Sequence, residues 1–318
     1  MIFLEILLLV IGMVLLIKGA DFFVDGSSNI AKAMRIPSVI IGLTLVSMGT
    51  SAPELSVSIS AAIKGSNGLS LGNVVGSNSF NTFLILGVSA VLIPLIIDNG
   101  MKKYDIPIML GIYGLLLIFG FLITPNKLDL IESISLLVLF VGYMILLFAR
   151  AKKDRTEVVE ESEPITKKKL IISIILAIVG LAAIIFGGDL VVVNASKLAK
   201  RFGMTEAMVG LTIVAIGTSL PELVTSIVAA MKKENDIAVG NVIGSNIFNS
   251  LLILGATSTI LPLALSNESL FDLVVLFVSG LFVFVISRFS KIIKKWQGLL
   301  FVLIYLAYFA FVIIRNYM

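Results

Sequence analysis

The chain has 318 residues, 58% of them hydrophobic, with a mean hydropathy of +1.10 and a formal net charge of +4. It has neither Cys nor His, which excludes disulfides, thiolate nucleophiles, haem His ligands and the usual zinc or copper sites, so any bound metal must be a hard cation held by oxygen. The basic residues are scattered at the ends of apolar runs and give no reason to expect a nucleic-acid partner.

Apolar runs long enough to cross a bilayer recur along the whole chain. Met1 to Phe23 has no basic leader, carries Glu5, and recurs in similar form from Leu170 to Val192. It is therefore expected to be a retained first span rather than a cleaved signal. Polar clusters divide the chain into about ten spans: 3–24, 38–63, 71–97, 104–124, 129–149, 169–192, 206–231, 239–264, 270–289 and 296–315. The expected fold is an all-α membrane protein of two five-helix halves, 1–150 and 169–318. The polar stretch from Ala149 to Lys169 reads as a flexible linker, with 151–168 as its body.

Connections after the odd-numbered spans hold seventeen basic residues, among them Lys32, Arg35, Lys102, Lys103, Lys167, Lys232 and Lys291. The opposite side holds six: Lys64, Lys127, Lys197, Lys200, Arg201 and Arg315. The positive-inside rule puts the first set and the linker in the cytoplasm, with both termini outside.

The halves repeat. Gly42 to Gly87 matches Gly210 to Gly255 at a constant offset of 168, with 28 identities in 46 positions and no gap. Gly, Ser, Thr, Asn, Pro and Glu match best, which chance similarity between apolar segments does not produce. Five spans separate each residue from its mate, and five is odd. The second copy therefore enters the membrane upside down, as in secondary transporters whose sites lie on interrupted helices near the midplane.

Spans two and seven carry "GTSAPEL" and "GTSLPEL". Pro53 and Pro221 remove backbone donors and free carbonyls, which lipid penalises unless something satisfies them. A proline kink patched by hydroxyls would explain one copy, but duplication beside a glutamate favours a cation site. Glu54 and Glu222 lie deepest in apolar sequence, and no basic residue sits at comparable depth. An acidic side chain mid-span costs about 2.5–3.5 kcal/mol on insertion scales, so this pair should face a cavity and a cation. Thr50, Ser51, Thr218 and Ser219 add hydroxyl oxygens.

Spans three and eight carry "GNVVGSNSFN" and "GNVIGSNIFN". Asn73, Ser77 and Asn81, like Asn241, Ser245 and Asn249, are spaced by four and line one helix face. Gly72, Gly76, Gly240 and Gly244 read as close-packing positions. Together these groups offer the six to eight oxygens that Ca²⁺ prefers, and two carboxylates balance its charge. Asp21 and Asp189 read as span-end residues, Asp21 within reach of Lys18. Glu132, Glu206 and Asp272 read as solvated span-end charges.

The two motifs resemble the paired α-repeats of the cation/Ca²⁺ exchanger superfamily, above all the prokaryotic Na⁺/Ca²⁺ exchangers, over most of the chain. The resemblance implies a core of spans two, three, seven and eight, with long first and sixth helices that slide across it. It implies ligands at Thr50, Ser51, Glu54, Ser77 and Asn81, and at Thr218, Ser219, Glu222, Ser245 and Asn249. Ser47 and Ala215 fall where the family uses backbone carbonyls. Some relatives carry Asp at the position of Asn81 or Asn249, so this site is expected to carry less charge than theirs.

The expected activity is Na⁺/Ca²⁺ antiport by alternating access, with H⁺/Ca²⁺ or K⁺-dependent exchange as the alternative. A channel and an intramembrane protease fit less well. Channels more often build pores from subunit symmetry, and the protease would require Asp rather than Glu. No enzymatic activity, no cofactor beyond the transported ions and no nucleic-acid partner are expected. Membrane lipid is the expected surroundings, and a monomer is compatible with the sequence.

Overall fold

A computed structural model describes residues 2–65, 67–158, 166–204, 209, 213 and 215–317. Among them are α1 (Ile2–Met34), α2 (Ser38–Thr50), α3 (Ala52–Ile63), α4 (Gly68–Leu92), α5 (Met101–Ile123), α6 (Leu130–Val158), α7 (Lys167–Arg201), α8 (Leu220–Met231), α9 (Asn235–Ile260), α10 (Asn267–Phe289) and α11 (Lys295–Tyr317). Eight helices are long and apolar enough to cross a membrane. The bent pair α2–α3 makes a ninth span. The expected span 206–231 lies partly outside the described residues; its described part includes the turn Ala215–Gly217 and the twelve-residue α8.

Two helices outrun their expected limits. α1 continues to Met34 and α7 to Arg201, past Asp21 and Asp189, which read as span-end residues in the sequence. Salt bridges hold these extensions. Arg201 reaches back to Glu5 at 2.9 Å, and Lys232, just after α8, pairs with Asp25 at 2.7 Å and Asp21 at 3.4 Å. The polar stretch after Ala149 is not linker throughout. α6 runs on to Val158, and α7 starts at Lys167 behind a Thr166 cap, whose hydroxyl accepts from the Lys169 N–H at 3.3 Å.

α1 and α7 lie against one another along a seam of glycines. A Cβ on Gly12 would stand 2.8 Å from the Gly187 carbonyl oxygen, and one on Gly19 would stand 2.8 Å from that of Gly180. Gly12 and Gly180 are repeat mates, as are Gly19 and Gly187, so the seam has the pseudo-two-fold symmetry of the repeat. Backbone contact at this range needs residues without side chains.

Two short antiparallel ladders tie the halves together. β1 (Leu95–Ile96) pairs with β4 (Ile292–Ile293), and β2 (Lys127–Leu128) pairs with β3 (Leu263–Ala264). Each half contributes one strand to each ladder. α9 lies at the centre of the molecule, with every residue from Ile237 to Phe248 buried. The outer helices α1, α6, α7, α10 and α11 turn rows of large apolar side chains outward, as a lipid-facing surface requires.

Two of the three span-end charges are placed otherwise than expected. Glu132 is 4% exposed and accepts from the Thr124 hydroxyl and the Asp129 N–H, so it fastens a turn rather than facing solvent. Asp272 is engaged by both Nη atoms of Arg315, at 3.0 and 2.9 Å. Glu206 lies outside the described residues. Lys18 and Asp21 pair at 3.6 Å, as their spacing predicts.

Candidate ion site

The break between α2 and α3 falls at Ser51, whose backbone (φ −83°, ψ 6°) departs from helical geometry, and the two helices differ in direction by 47°. Ser219 repeats it almost identically at φ −91° and ψ 5°. Pro53 and Pro221 sit in the first turn of the helix that follows, where a missing N–H costs nothing. Each break thus places a Thr-Ser pair before it and a glutamate in the first helical turn after it. That turn presents unpaired backbone N–H groups toward negative charge.

Both glutamates are fully buried, and no salt bridge reaches either among the described residues. Each is held by the serine of the opposite repeat. Ser51 Oγ donates to Glu222 Oε1 at 2.8 Å, and Ser219 Oγ donates to Glu54 Oε1 at 3.0 Å. Ser77 Oγ also lies 3.5 Å from Glu54 Oε1 and 3.1 Å from Ser219 Oγ. The second oxygens, Glu54 Oε2 and Glu222 Oε2, are buried without a hydrogen-bond partner. Two uncompensated carboxylate oxygens inside a membrane protein are costly unless a cation meets them.

The amide stripe is in place and reciprocal. Asn73 Nδ2 donates to Ser58 Oγ at 2.9 Å and to the Glu54 carbonyl at 3.3 Å. Asn241 Nδ2 does the same to Ser226 Oγ at 2.9 Å and the Glu222 carbonyl at 3.4 Å. Their oxygens accept across the repeat, from Thr50 to Asn241 at 3.0 Å and from Thr218 to Asn73 at 3.4 Å. Asn73 and Asn241 therefore brace the breaks and orient Thr50 and Thr218.

Asn81 and Asn249 lie in wide π turns, Phe80–Ile85 and Asn249–Ile253. Such turns re-aim side chains and cluster at functional sites. Both residues are fully buried. Neither polar atom of Asn81 has a hydrogen-bond partner, and Asn249 Oδ1 has none.

Ser245 is buried and donates to the Ser47 carbonyl at 3.4 Å. That carbonyl, which the resemblance implied as a ligand, also accepts from the Ser51 N–H at 3.0 Å and the Thr50 hydroxyl at 3.3 Å. Ala215 begins the turn that leads to the second break. No group of three or more acidic side chains gathers among the described residues. The site is two carboxylates in a ring of neutral oxygens.

Residues outside the sequence-derived set complete this network. Ser58 and Ser226 anchor the bracing asparagines, and Asn78, Thr82, Asn246 and Ser250 form a further layer between α4 and α9. All are paired across the two copies as identical or hydroxyl-for-hydroxyl mates, and that was the available signal. Elsewhere, Asp105 is fully buried and bound by Arg150 Nη1 at 2.8 and 2.9 Å and by the Tyr143 hydroxyl at 3.1 Å, joining α5 to α6.

The repeats are not in equivalent environments. Gly240 and Gly244 are packed so that an added Cβ would lie 3.1 Å from Gly42 Cα and 2.8 Å from Leu43 Cα. Their mates Gly72 and Gly76 are exposed, with nothing within 4 Å of an added Cβ among the described residues. Among the described residues the core is packed where α2 and α9 begin and exposed beside Gly72 and Gly76. A groove of about 400 Å³ runs along α3 from Ala52 to Lys64.

Inverted repeats and spans broken at a carboxylate define a secondary ion transporter of the membrane. The sodium/calcium exchanger protein family model matches residues 4–149 and 172–314. The chain is 34% identical to sodium/calcium exchanger MaX1 of Methanosarcina acetivorans, over 97% of this chain and 98% of that one. It is 40% identical to the putative antiporter CaxA of Alkalimonas amylolytica, over 79% of each. A solved structure of the sodium-calcium exchanger NCX_Mj, soaked with Na⁺ and Sr²⁺, superposes with a TM-score of 0.86 at 31% identity, over 98% of this chain and 99% of that one. The chain belongs to the sodium/calcium exchanger protein family.

Proposed function

We propose that the chain exchanges Na⁺ for Ca²⁺ across the cell membrane by alternating access. The observation that carries this is the pair Glu54 and Glu222, fully buried, each with one oxygen hydrogen-bonded across the repeat and one without a partner. Their joint charge of about −2 balances one Ca²⁺. Thr50, Ser51, Ser77 and Asn81, with Thr218, Ser219, Ser245 and Asn249, supply neutral oxygens, and the carbonyls of Ser47 and Ala215 are the backbone candidates. Na⁺ competes for overlapping oxygens, so its inward gradient drives Ca²⁺ outward. Neutral ligands keep the hold weak enough for release.

The excess of basic residues at the linker end supports placing residues 151–168 in the cytoplasm and both termini outside. The open face beside Gly72 and Gly76 then looks outward. α1 and α7 slide across the core formed by α2, α3, α4, α8 and α9 as the opening changes side.

The same two carboxylates also suit proton uptake, which keeps H⁺/Ca²⁺ exchange as the alternative. Flux measurements in proteoliposomes separate them. Ca²⁺ movement driven by a Na⁺ gradient at fixed pH supports Na⁺ as the counter-ion. Movement that ignores Na⁺ and follows a pH gradient replaces it with H⁺. K⁺ on one side, with Na⁺ held constant, tests K⁺ dependence in the same preparation.

A further inference from the structure

Asn78 and Asn246 belong to neither carboxylate break, yet both are fully buried between α4 and α9. Asn78 Nδ2 donates to the Asn246 main-chain carbonyl at 3.3 Å and to Ser250 Oγ at 2.8 Å. A main-chain carbonyl can only accept, which fixes the orientation of the Asn78 amide. Its oxygen therefore points the other way, and Asn249 Nδ2 donates to that oxygen at 3.1 Å. The NH₂ group of Asn249 is thereby committed. Its oxygen, buried and without a hydrogen-bond partner, is the atom left to face the ions.

We infer that Asn78 is a positioning residue of the exchange site, fixing the Asn249 amide so that its oxygen rather than its NH₂ group faces the cation. An amide that turned over would point a donor at a positive ion. Outer partners of this kind commonly set the orientation and strength of metal ligands. The inference rests on the proposed role of Asn249 as a ligand.

The repeat contains the same apparatus in mirror form. Asn246 Nδ2 donates to Thr82 Oγ1 at 2.8 Å, as Asn78 does to Ser250. The last bond differs: Asn246 Oδ1 and both polar atoms of Asn81 have no hydrogen-bond partner. One amide is locked and its mate is not, in keeping with the unequal packing of Gly240 and Gly72 on the two sides.

The test is a double-mutant cycle on Ca²⁺ binding to the full-length purified protein, with Asn78→Ala, Asn249→Ala and the pair, and with Asn78→Ala plus Ser77→Ala as the comparison pair. Asn78→Ala is expected to weaken Ca²⁺ about tenfold or more alone, and by less than about twofold once Asn249 is already Ala. It should keep its full effect beside Ser77→Ala. Thermal midpoints without Ca²⁺ follow the fold, and Asn78→Ser serves if Asn78→Ala does not fold. Independent, additive losses at 78 and 249 would overturn the positioning role while leaving Asn249 a ligand. Unchanged Ca²⁺ binding in Asn249→Ala would remove the ligand role itself, and the inference with it.

Discussion

Glu54 and Glu222 are isosteric with glutamine, so replacing either removes charge from a buried, two-carboxylate site with little change in shape. Each substitution is expected to weaken Ca²⁺ binding by more than about 100-fold, beyond what loss of an outer partner costs a metal site. Calorimetric titration of the purified variants checks this, and near-normal binding in both would remove the carboxylates from the ion site. Asn249→Asp or Asn81→Asp adds a charge instead. Both should alter ion affinity or K⁺ dependence, and the third buried carboxylate should lower the thermal midpoint of the ion-free protein, with added Ca²⁺ recovering it.

The residues of the candidate site were legible because duplication separates chemistry from apolar background. Gly, Thr, Ser, Pro and Glu survive at the same offset where Leu and Ile interchange. Asn78 and Asn246 were duplicated too. A stripe counted at 73, 77 and 81 passes them by, since one residue further on is about 100° round the helix. Their partners come from the other repeat, and no local spacing reveals a contact across some 170 positions. Glu132 and Asp272 were misplaced although their partners lie in the same half: Thr124 and Arg315 reach them only once the chain is folded.

At the scale of the helix, the α1–α7 seam makes a sharp prediction. Gly180 has no room for a side chain, because a Cβ would stand 2.5 Å from the Phe23 amide nitrogen. Gly180→Leu is therefore expected to destabilise the protein by about 1–3 kcal/mol or more, as overpacking does, visible as a lowered thermal midpoint. Gly111, where nothing lies within 4 Å, is the matching control. The glycine pattern was readable in sequence, but the helix lengths were not. Asp21 and Asp25 look like an end until Lys232 is seen beside them.

The repeat mates of that ion pair are unequal. Lys64 and Asp189 stand where Lys232 and Asp21 stand in the other copy, yet no ion pair joins them among the described residues. Lys232→Ala removes a bond that exists in this conformation. It is expected to shift the balance between the two access states by about 1 kcal/mol or less, since these charges are partly solvated. Comparing half-saturating Ca²⁺ at the two membrane faces reads the shift. Equal change at both faces, or none, would mean the pair does not discriminate between states.

For the molecule as a whole, two halves with 28 identities in their 46 best-matched positions occupy two different environments. Gly240 and Gly244 are closed against α2, and Gly72 and Gly76 are open. Inversion of the repeat makes the complementary arrangement available from the same sequence, which is what alternating access requires. Duplication, odd span count and deep carboxylates conveyed this architecture in advance. Which side stands open is a property of one conformation and leaves no trace in the order of residues.

Ca²⁺ uptake into Na⁺-loaded proteoliposomes, with pH held equal on both sides, tests the central claim most directly. The account predicts radiolabelled Ca²⁺ uptake that rises with the outward Na⁺ gradient, vanishes when Na⁺ is equal across the membrane, and is lost in Glu54→Gln and Glu222→Gln. Uptake indifferent to the Na⁺ gradient, or undiminished in both variants, would contradict it.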